Sequence, residues 1–383
     1  MPTSDQFPRE FLGQSIENRL AYFKSKVVAH PHLKTTHQAL WNAIHRPAGA
    51  ALILVLGPTG VGKTTLRLRL EQQLMEEALP DLDKDRGRLP VVGVEAVAPE
   101  SGNFNWKDYY TRALLALDEP LIARKTGPDS NVRGIRRDDG GRLHVSHAVA
   151  VAELRRAWEQ CLAHRRPLAF IIDEAQHLKK MASGRRLLDQ MDTLKSLAAM
   201  TGTVHILIGT YELLGLADLS GQLSRRSLEI HFPRYGFERA EDLLAFKSVL
   251  LTFQRHLPLS EEPDLTGRSE YFYERSVGCV GLLKDWLHRA LAVALEEGQA
   301  TLTATDLERQ AEPTRKLLRM AREIKEGEAA LLERAEGRTE LCQLLGLESD
   351  PAEKNEPANT VSHSSTSRVG ERRPTRDPVG AKP

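Results

Sequence analysis

The chain has 383 residues, 41% of them hydrophobic and 27% charged, with a net charge of +1. That length accommodates two or three domains of about 100–200 residues each, and the balanced charge excludes a global field for nucleic acid, so any basic footprint must be local. Three scattered cysteines (Cys161, Cys279 and Cys342) argue against a disulfide or zinc framework; with no apolar run long enough for a membrane span and an N-terminus without signal-peptide form, a cytoplasmic protein with no membrane partner is expected.

Two short helices are expected first, Phe11–Lys26 and Leu33–His45, separated at His30-Pro31. His30, His32 and His37 have no Cys, Asp or Glu partner at ligand spacing, which favours ordinary histidines over a metal site. Their position before the next motif makes this segment a candidate lining for a base pocket. Leu52–Leu56 is a fully apolar strand that ends in Gly57-Pro58-Thr59-Gly60-Val61-Gly62-Lys63-Thr64. This octet fits the phosphate-loop pattern G-x-x-x-x-G-K-[ST], and the amphipathic stretch Thr64–Ala78 supplies the helix that the motif requires. Glycines let successive backbone N–H groups turn toward phosphate oxygens, and the helix aims its positive dipole end at them. Lys63 is expected on the β- and γ-phosphates of ATP, and the Thr64 hydroxyl on Mg²⁺.

After a polar turn, Pro80–Arg88, comes a second strand, Pro90–Ala98, then a polar loop, Ser101–Lys107, and a helix, Asp108–Leu117. Residues Ile122–His147 lack periodicity and carry Arg124, Lys125, Arg133, Arg136, Arg137 and Arg142, as a surface loop or disordered insertion would. The helix Val149–His164 leads into a third apolar strand, Leu168–Ile172, which ends in Asp173-Glu174. A carboxylate at that strand end lets Asp173 hold the Mg²⁺ shell, and Glu174 is then placed to polarise the attacking water. A helix over Arg186–Met200 precedes a fourth strand, Val204–Gly209. Thr210 at its end is a candidate for contacting the water or the γ-phosphate; it reads equally as the N-cap of a helix over Tyr211–Leu219. Arg225-Arg226 precede a fifth strand, Leu228–Phe232, either as a solvated basic pair or as an arginine finger supplied to another subunit.

Strands alternating with helices indicate a doubly wound parallel α/β sheet over residues 51–236, after an N-terminal helical segment, 1–50. From Glu238 the strand signals vanish. Helices over Glu238–His256, Arg268–Ser276, Leu282–Glu297 and Thr305–Glu312 give an all-α lid domain, 237–313, followed by a charged helical extension, 314–347. Residues 348–383 are rich in Pro, Ser, Gly and charge, the composition of a disordered tail.

The order phosphate loop, FIIDEAQHL, HILIGT, then LSRRS before a short strand and FPRY resembles the AAA+ ATPases of the TnsC/TniB type, the transposition regulators of bacterial transposons. The resemblance covers roughly Phe11–Glu312. It implies an AAA+ P-loop NTPase with a five-stranded parallel sheet, which binds ATP and assembles on double-stranded DNA as a homo-oligomeric ring or filament. It further implies a protein that links a target selector, whether a protein or an RNA-guided complex, to a DDE transposase, with Mg²⁺-dependent hydrolysis driving disassembly. By position, the resemblance implies nucleotide contacts at Gly57–Thr65, including Gly62, Lys63, Thr64 and Thr65. Asp173 and Glu174 would be its Walker B pair, Thr210 its first sensor and Arg225 or Arg226 its finger.

The lid departs from the family pattern. Gly281 stands where many AAA+ lids carry a sensor arginine, and Lys284, three residues on, is the nearest cation, which is compatible with slow hydrolysis. DNA contacts are expected from the loop after the second strand, at Asn103 and Lys107 beside Asn105 and Trp106, and from Arg133, Arg136 and Arg137. The alternatives are a scaffold or signalling ATPase without DNA, a replication-initiator or secretion-associated AAA+ protein, and a nucleotide-binding module without turnover.

Overall fold

The structure, a computed structural model, describes residues 6–99, 104–117, 135–137, 143–145, 151–179, 184–217, 226–336 and 338–346. By its internal contacts the chain divides into two units, residues 1–331 and 332–383.

Five strands form one parallel sheet: β1 (Leu52–Leu56), β2 (Val91–Glu95), β5 (Ala169–Asp173), β6 (Val204–Gly209) and β7 (Ser227–His231), in the order β2-β5-β6-β1-β7. The three central strands, β1, β5 and β6, are buried at every position, whereas edge strand β7 buries only Ile230. Continuous apolar runs such as LILVL suit a strand covered on both faces. Helices α2 (Pro31–His45) and α3 (Lys63–Leu82) cover one face, against Ile53, Val55, Ile171, Ile206 and Ile208. The other face carries α4 (Trp106–Ala116), α5 (Val151–Arg165) and α6 (Gly184–Thr201), packed on Leu54, Phe170, Ile172 and Leu207.

The five expected strands and their parallel arrangement are all present. Some boundaries differ. Helix α3 continues through Pro80 to Leu82 instead of ending at Ala78. A proline in a final turn forfeits one hydrogen bond at an end that already frays. Within the glycine- and arginine-rich insertion, β3 (Ile135–Arg137) and β4 (Leu143–Val145) pair as an antiparallel hairpin where a surface loop or disorder is expected from the sequence. After β6 only a 3₁₀ turn, Tyr211–Leu213, and a short α7 (Leu214–Ala217) are described.

The all-α part comprises α8 (Ala240–His256), α9 (Ser269–Ser276), α10 (Val280–Glu296) and α11 (Ala304–Gln310). A reciprocal pair of bonds between Thr303 and Asp306 caps α11. The core of this bundle also takes in Phe23 of α1 (Ile16–Ser25), so the first helix packs with the lid and the second with the sheet. The charged extension forms two helices, α12 (Thr314–Glu336) and α13 (Arg338–Leu344). Residues 348–383 lie outside the described part of the chain. No helix among the described residues is long and apolar enough to cross a membrane.

Candidate nucleotide site

In a parallel sheet ligands bind beyond the C-terminal strand ends, and this sheet brings the ends of β1, β6 and β5 to one edge. Residues 57–62 leave β1 there. The Gly57 N–H donates to the Gly209 carbonyl at 3.3 Å, which ties the loop to the end of β6. Gly62 caps α3 with φ +112°, and Lys63, only 7% exposed, opens that helix. Lys63 Nζ donates to the carbonyls of Gly57 and Pro58 at 3.0 and 2.9 Å. Burial lowers its pKa, against the opposing pull of Glu174, Cys279 and Asp173. Thr64 is exposed on the first turn of α3, and Thr65 is half-buried.

Asp173 ends β5 and is 4% exposed. Its Oδ1 accepts from the Glu174 N–H at 3.0 Å, and Arg67 Nε lies 3.5 Å from Oδ2. Burial raises the Asp173 pKa, partly offset by that backbone donor and by Arg67. Glu174 follows with φ +53°, a left-handed conformation that turns the chain sharply off the strand. Thr210 follows the end of β6; its hydroxyl is buried without a partner and makes no cap bond to the turn that follows. A buried orphan hydroxyl of this kind is the expected donor for a ligand oxygen.

Beside these residues lies a cavity of about 490 Å³, which Thr210 lines together with Pro58, Thr59, Gln176, His177 and Tyr211 on the sheet side. Its opposite wall is α12, through Met320, Glu323, Ile324, Glu326, Gly327 and Ala330. Helix α12 is fixed by a two-pronged ion pair, Arg234 Nε and Nη2 to the two oxygens of Glu328 at 3.0 and 3.1 Å. Arg234 Nη1 also donates to the Tyr273 hydroxyl at 2.8 Å. Sequence reasoning assigned α12 no part in the site. The signal was present: Leu317, Met320, Ile324, Gly327 and Leu331 recur at the 3-and-4 spacing of a helix face.

The lid touches the phosphate loop directly. The N–H groups of Gly281 and Leu282, at the start of α10, donate to the Gly60 carbonyl at 2.7 and 3.2 Å. A Cβ at position 281 would stand 2.5 Å from that oxygen, so an arginine there is sterically excluded in this arrangement. Lys284 donates instead to the Lys24 carbonyl at 2.7 Å. It borders a narrow cleft between Lys26–Val28 and His30 on one side and Val61, Gly62 and Thr65 on the other. The three early histidines have separate roles. His30 caps α2 and bonds the Tyr235 hydroxyl at 3.0 Å, His32 pairs with Asp242 at 3.2 Å, and His37 stacks on Trp41.

Arg226 is exposed just before β7, with its carbonyl accepting from the Ala51 N–H. Position 226 thus lies at the edge of the sheet opposite the phosphate loop, a strand length of about 17 Å away. Any role as a finger is therefore in another subunit. Arg225, Asn103 and Arg133 lie outside the described residues, and Arg136 and Arg137 belong to hairpin strand β3. Lys107 is half-buried on the first turn of α4. Its expected companions do other work: the Asn105 side chain caps α4 by accepting from the Asp108 N–H, and Trp106 is 8% exposed within the sheet core.

Residues 45–216 match the family model described as an AAA domain. No curated protein matches the chain. Among solved structures, the ORC2 protein of Aeropyrum pernix, in ADPNP and ADP complexes, is similar with a TM-score of 0.51 at 14% identity, over 76% of this chain and 70% of that one. The ORC1 protein of the same organism, solved with DNA, has a TM-score of 0.49 at 18% identity, over 80% and 70%. Cdc6p of Pyrobaculum aerophilum has a TM-score of 0.47 at 15% identity, over 76% and 69%. With its β2-β5-β6-β1-β7 sheet, phosphate loop and matched AAA domain, this chain has the AAA+ P-loop NTPase fold, followed by an all-α lid.

Proposed function

We propose that the chain is an ATP-hydrolysing AAA+ regulator of DNA transposition, which assembles on double-stranded DNA with ATP and disassembles on hydrolysis. The observation that carries the ATPase reading is the convergence of Lys63, Asp173 and Glu174, which act on one another electrostatically, with Thr210, tied to Glu174 through Gln176, its hydroxyl unpartnered. Lys63 and the loop amides hold the phosphates. Thr64 and Asp173 are hard oxygen donors that fit Mg²⁺, an ion commonly held by one or two carboxylates together with substrate phosphates. When bound, the ion neutralises charge developing on the transferred phosphoryl group. Glu174 accepts the proton of the attacking water, and Thr210 donates to the phosphate side. The cleft between Lys26–His30 and Val61–Thr65, closed by Gly281 and Lys284, has a volume of only about 40 Å³ and must widen to take the adenine and ribose.

The transposition reading rests on the resemblance of DEAQHL, HILIGT, LSRRS and FPRY to the TnsC/TniB type. In that reading Arg225 or Arg226 serves a neighbouring copy, and Asn103, Lys107, Arg133, Arg136 and Arg137 are the DNA-contact candidates. A target selector and a DDE transposase are the partners. Electron microscopy of the full chain with duplex DNA and a non-hydrolysable ATP analogue is the test. Rings or helices around DNA that depend on the analogue are expected, and particles that never engage DNA overturn the reading. Glu174→Gln is expected to retain ATP and hold the DNA-bound assembly.

A further inference from the structure

Gln176 stands between the two groups assigned to the hydrolytic step and bonds to both. It lies in the 3₁₀ turn Ala175–Lys179 and is 6% exposed. Its Nε2 donates to Glu174 Oε2 at 2.5 Å, and its Oε1 accepts from the Thr210 N–H at 3.3 Å. The amide therefore has a pure acceptor at one end and a pure donor at the other. Only a carboxamide in one orientation satisfies both. Residue 209 makes room for it, because a Cβ there would stand 2.4 Å from Gln176 Oε1. The backbone of Glu174 is left-handed, so its side chain leaves the strand in a direction that β5 itself does not hold.

We propose that Gln176 is a positioning residue that fixes the Glu174 carboxylate relative to the end of β6, and so relative to the γ-phosphate and its attacking water. It rests on the ATPase reading above. One carboxylate oxygen is taken by the amide, and the other remains to receive the water proton. Because the same amide grips the backbone of Thr210, the base and the sensor move as one unit. A loose base loses turnover without losing nucleotide, since the binding groups, Lys63 and the loop amides, are elsewhere.

The test is ATP hydrolysis and ATP affinity of the full chain, measured for Gln176→Met, Gln176→Glu, Glu174→Gln and the double variant Glu174→Gln/Gln176→Met. Methionine keeps the volume and removes both hydrogen bonds. Glutamate keeps size and polarity and sets a second carboxylate against Glu174, which guards against a variant that fails to fold. Either substitution is expected to lower kcat by about 10²-fold, the scale of a slightly misplaced catalytic group, with ATP affinity unchanged and a cooperative melting transition retained. In the Glu174→Gln background, Gln176→Met is expected to cost nothing further, because the residue acts through Glu174. An unchanged kcat, or the same fractional loss in both backgrounds, overturns the role. If the wild-type chain shows no phosphate release that Lys63→Ala abolishes, the ATPase reading falls and this inference falls with it. Lys63-dependent turnover with additive losses overturns the role of Gln176 alone.

Discussion

The cavity beside the phosphate loop has two walls that are held by different forces. The sheet wall is backbone: the Gly57 N–H on the Gly209 carbonyl, the Phe232 N–H on the Leu56 carbonyl, and strands buried at every position. The helical wall is side chains: Arg234 on Glu328, Gly327 against the Tyr211 ring, and Ile324 and Leu317 buried beneath. Backbone hydrogen bonds inside a buried sheet open only with the sheet, whereas one helix held by an ion pair and a few apolar contacts can detach locally. The first wall is thus fit to hold a charged ligand in fixed geometry, and the second to be displaced while the sheet stays folded.

The largest expected effect belongs to the sheet wall. Lys63→Ala removes a buried ammonium and is expected to weaken ATP binding by about 2–5 kcal/mol, on the scale of truncating a desolvated charge pair. Titration of a fluorescent ATP analogue measures it, and a fold left intact in the same variant separates grip from stability. Gly281→Ala places a methyl against the Gly60 carbonyl and is expected to cost about 1–3 kcal/mol by overpacking, read as a lower melting temperature together with weaker nucleotide affinity. An unaltered affinity would show that the lid contact does not shape the loop.

Acid loosens the sheet side in a definite direction. Burial holds the imidazoles of His205 on β6 and His30 at about 4, below the ordinary value of 6.5. Between those values the unfolded chain binds more protons than the native one, so stability is full above pH 6.5 and falls as the pH drops toward 4. Each histidine contributes a slope of up to about 1.4 kcal/mol per pH unit. His205→Phe is expected to flatten the dependence of the melting temperature on pH across that window. The smallest effect is on the helical wall: Glu328→Gln is expected to remove about 1 kcal/mol and to raise hydrogen exchange in residues 314–331 while leaving α3 protected. Equal loss of protection in α3 would erase the distinction between the walls.

The sheet wall was legible in the sequence because its signals are local. A phosphate-loop octet flanked by LILVL and an amphipathic helix needs no distant information, nor does an apolar run that ends in Asp173-Glu174. What escaped depends on contacts across the fold. Gly281 read as a missing arginine, although the Gly60 carbonyl, more than 200 residues earlier in the chain, is what excludes a side chain there. Trp106 read as part of a polar loop because Asn103, Asn105 and Lys107 surround it, yet it packs against Phe104, Tyr109 and Tyr110. Helix α12 read as a charged extension since the spacing of Leu317, Ile324 and Leu331 shows that a face is buried but not what buries it.

That helix has a thermodynamic consequence. Because residues 320–330 wall the cavity beside the phosphate loop, the seating of α12 and the occupancy of that cavity are linked equilibria. Anything that prefers α12 displaced must change the affinity of a ligand in this cavity by the same factor as that ligand changes its own, in either direction. Pro58 and Thr59 of the phosphate loop are thus joined through one cavity to a helix more than 250 residues away in the chain.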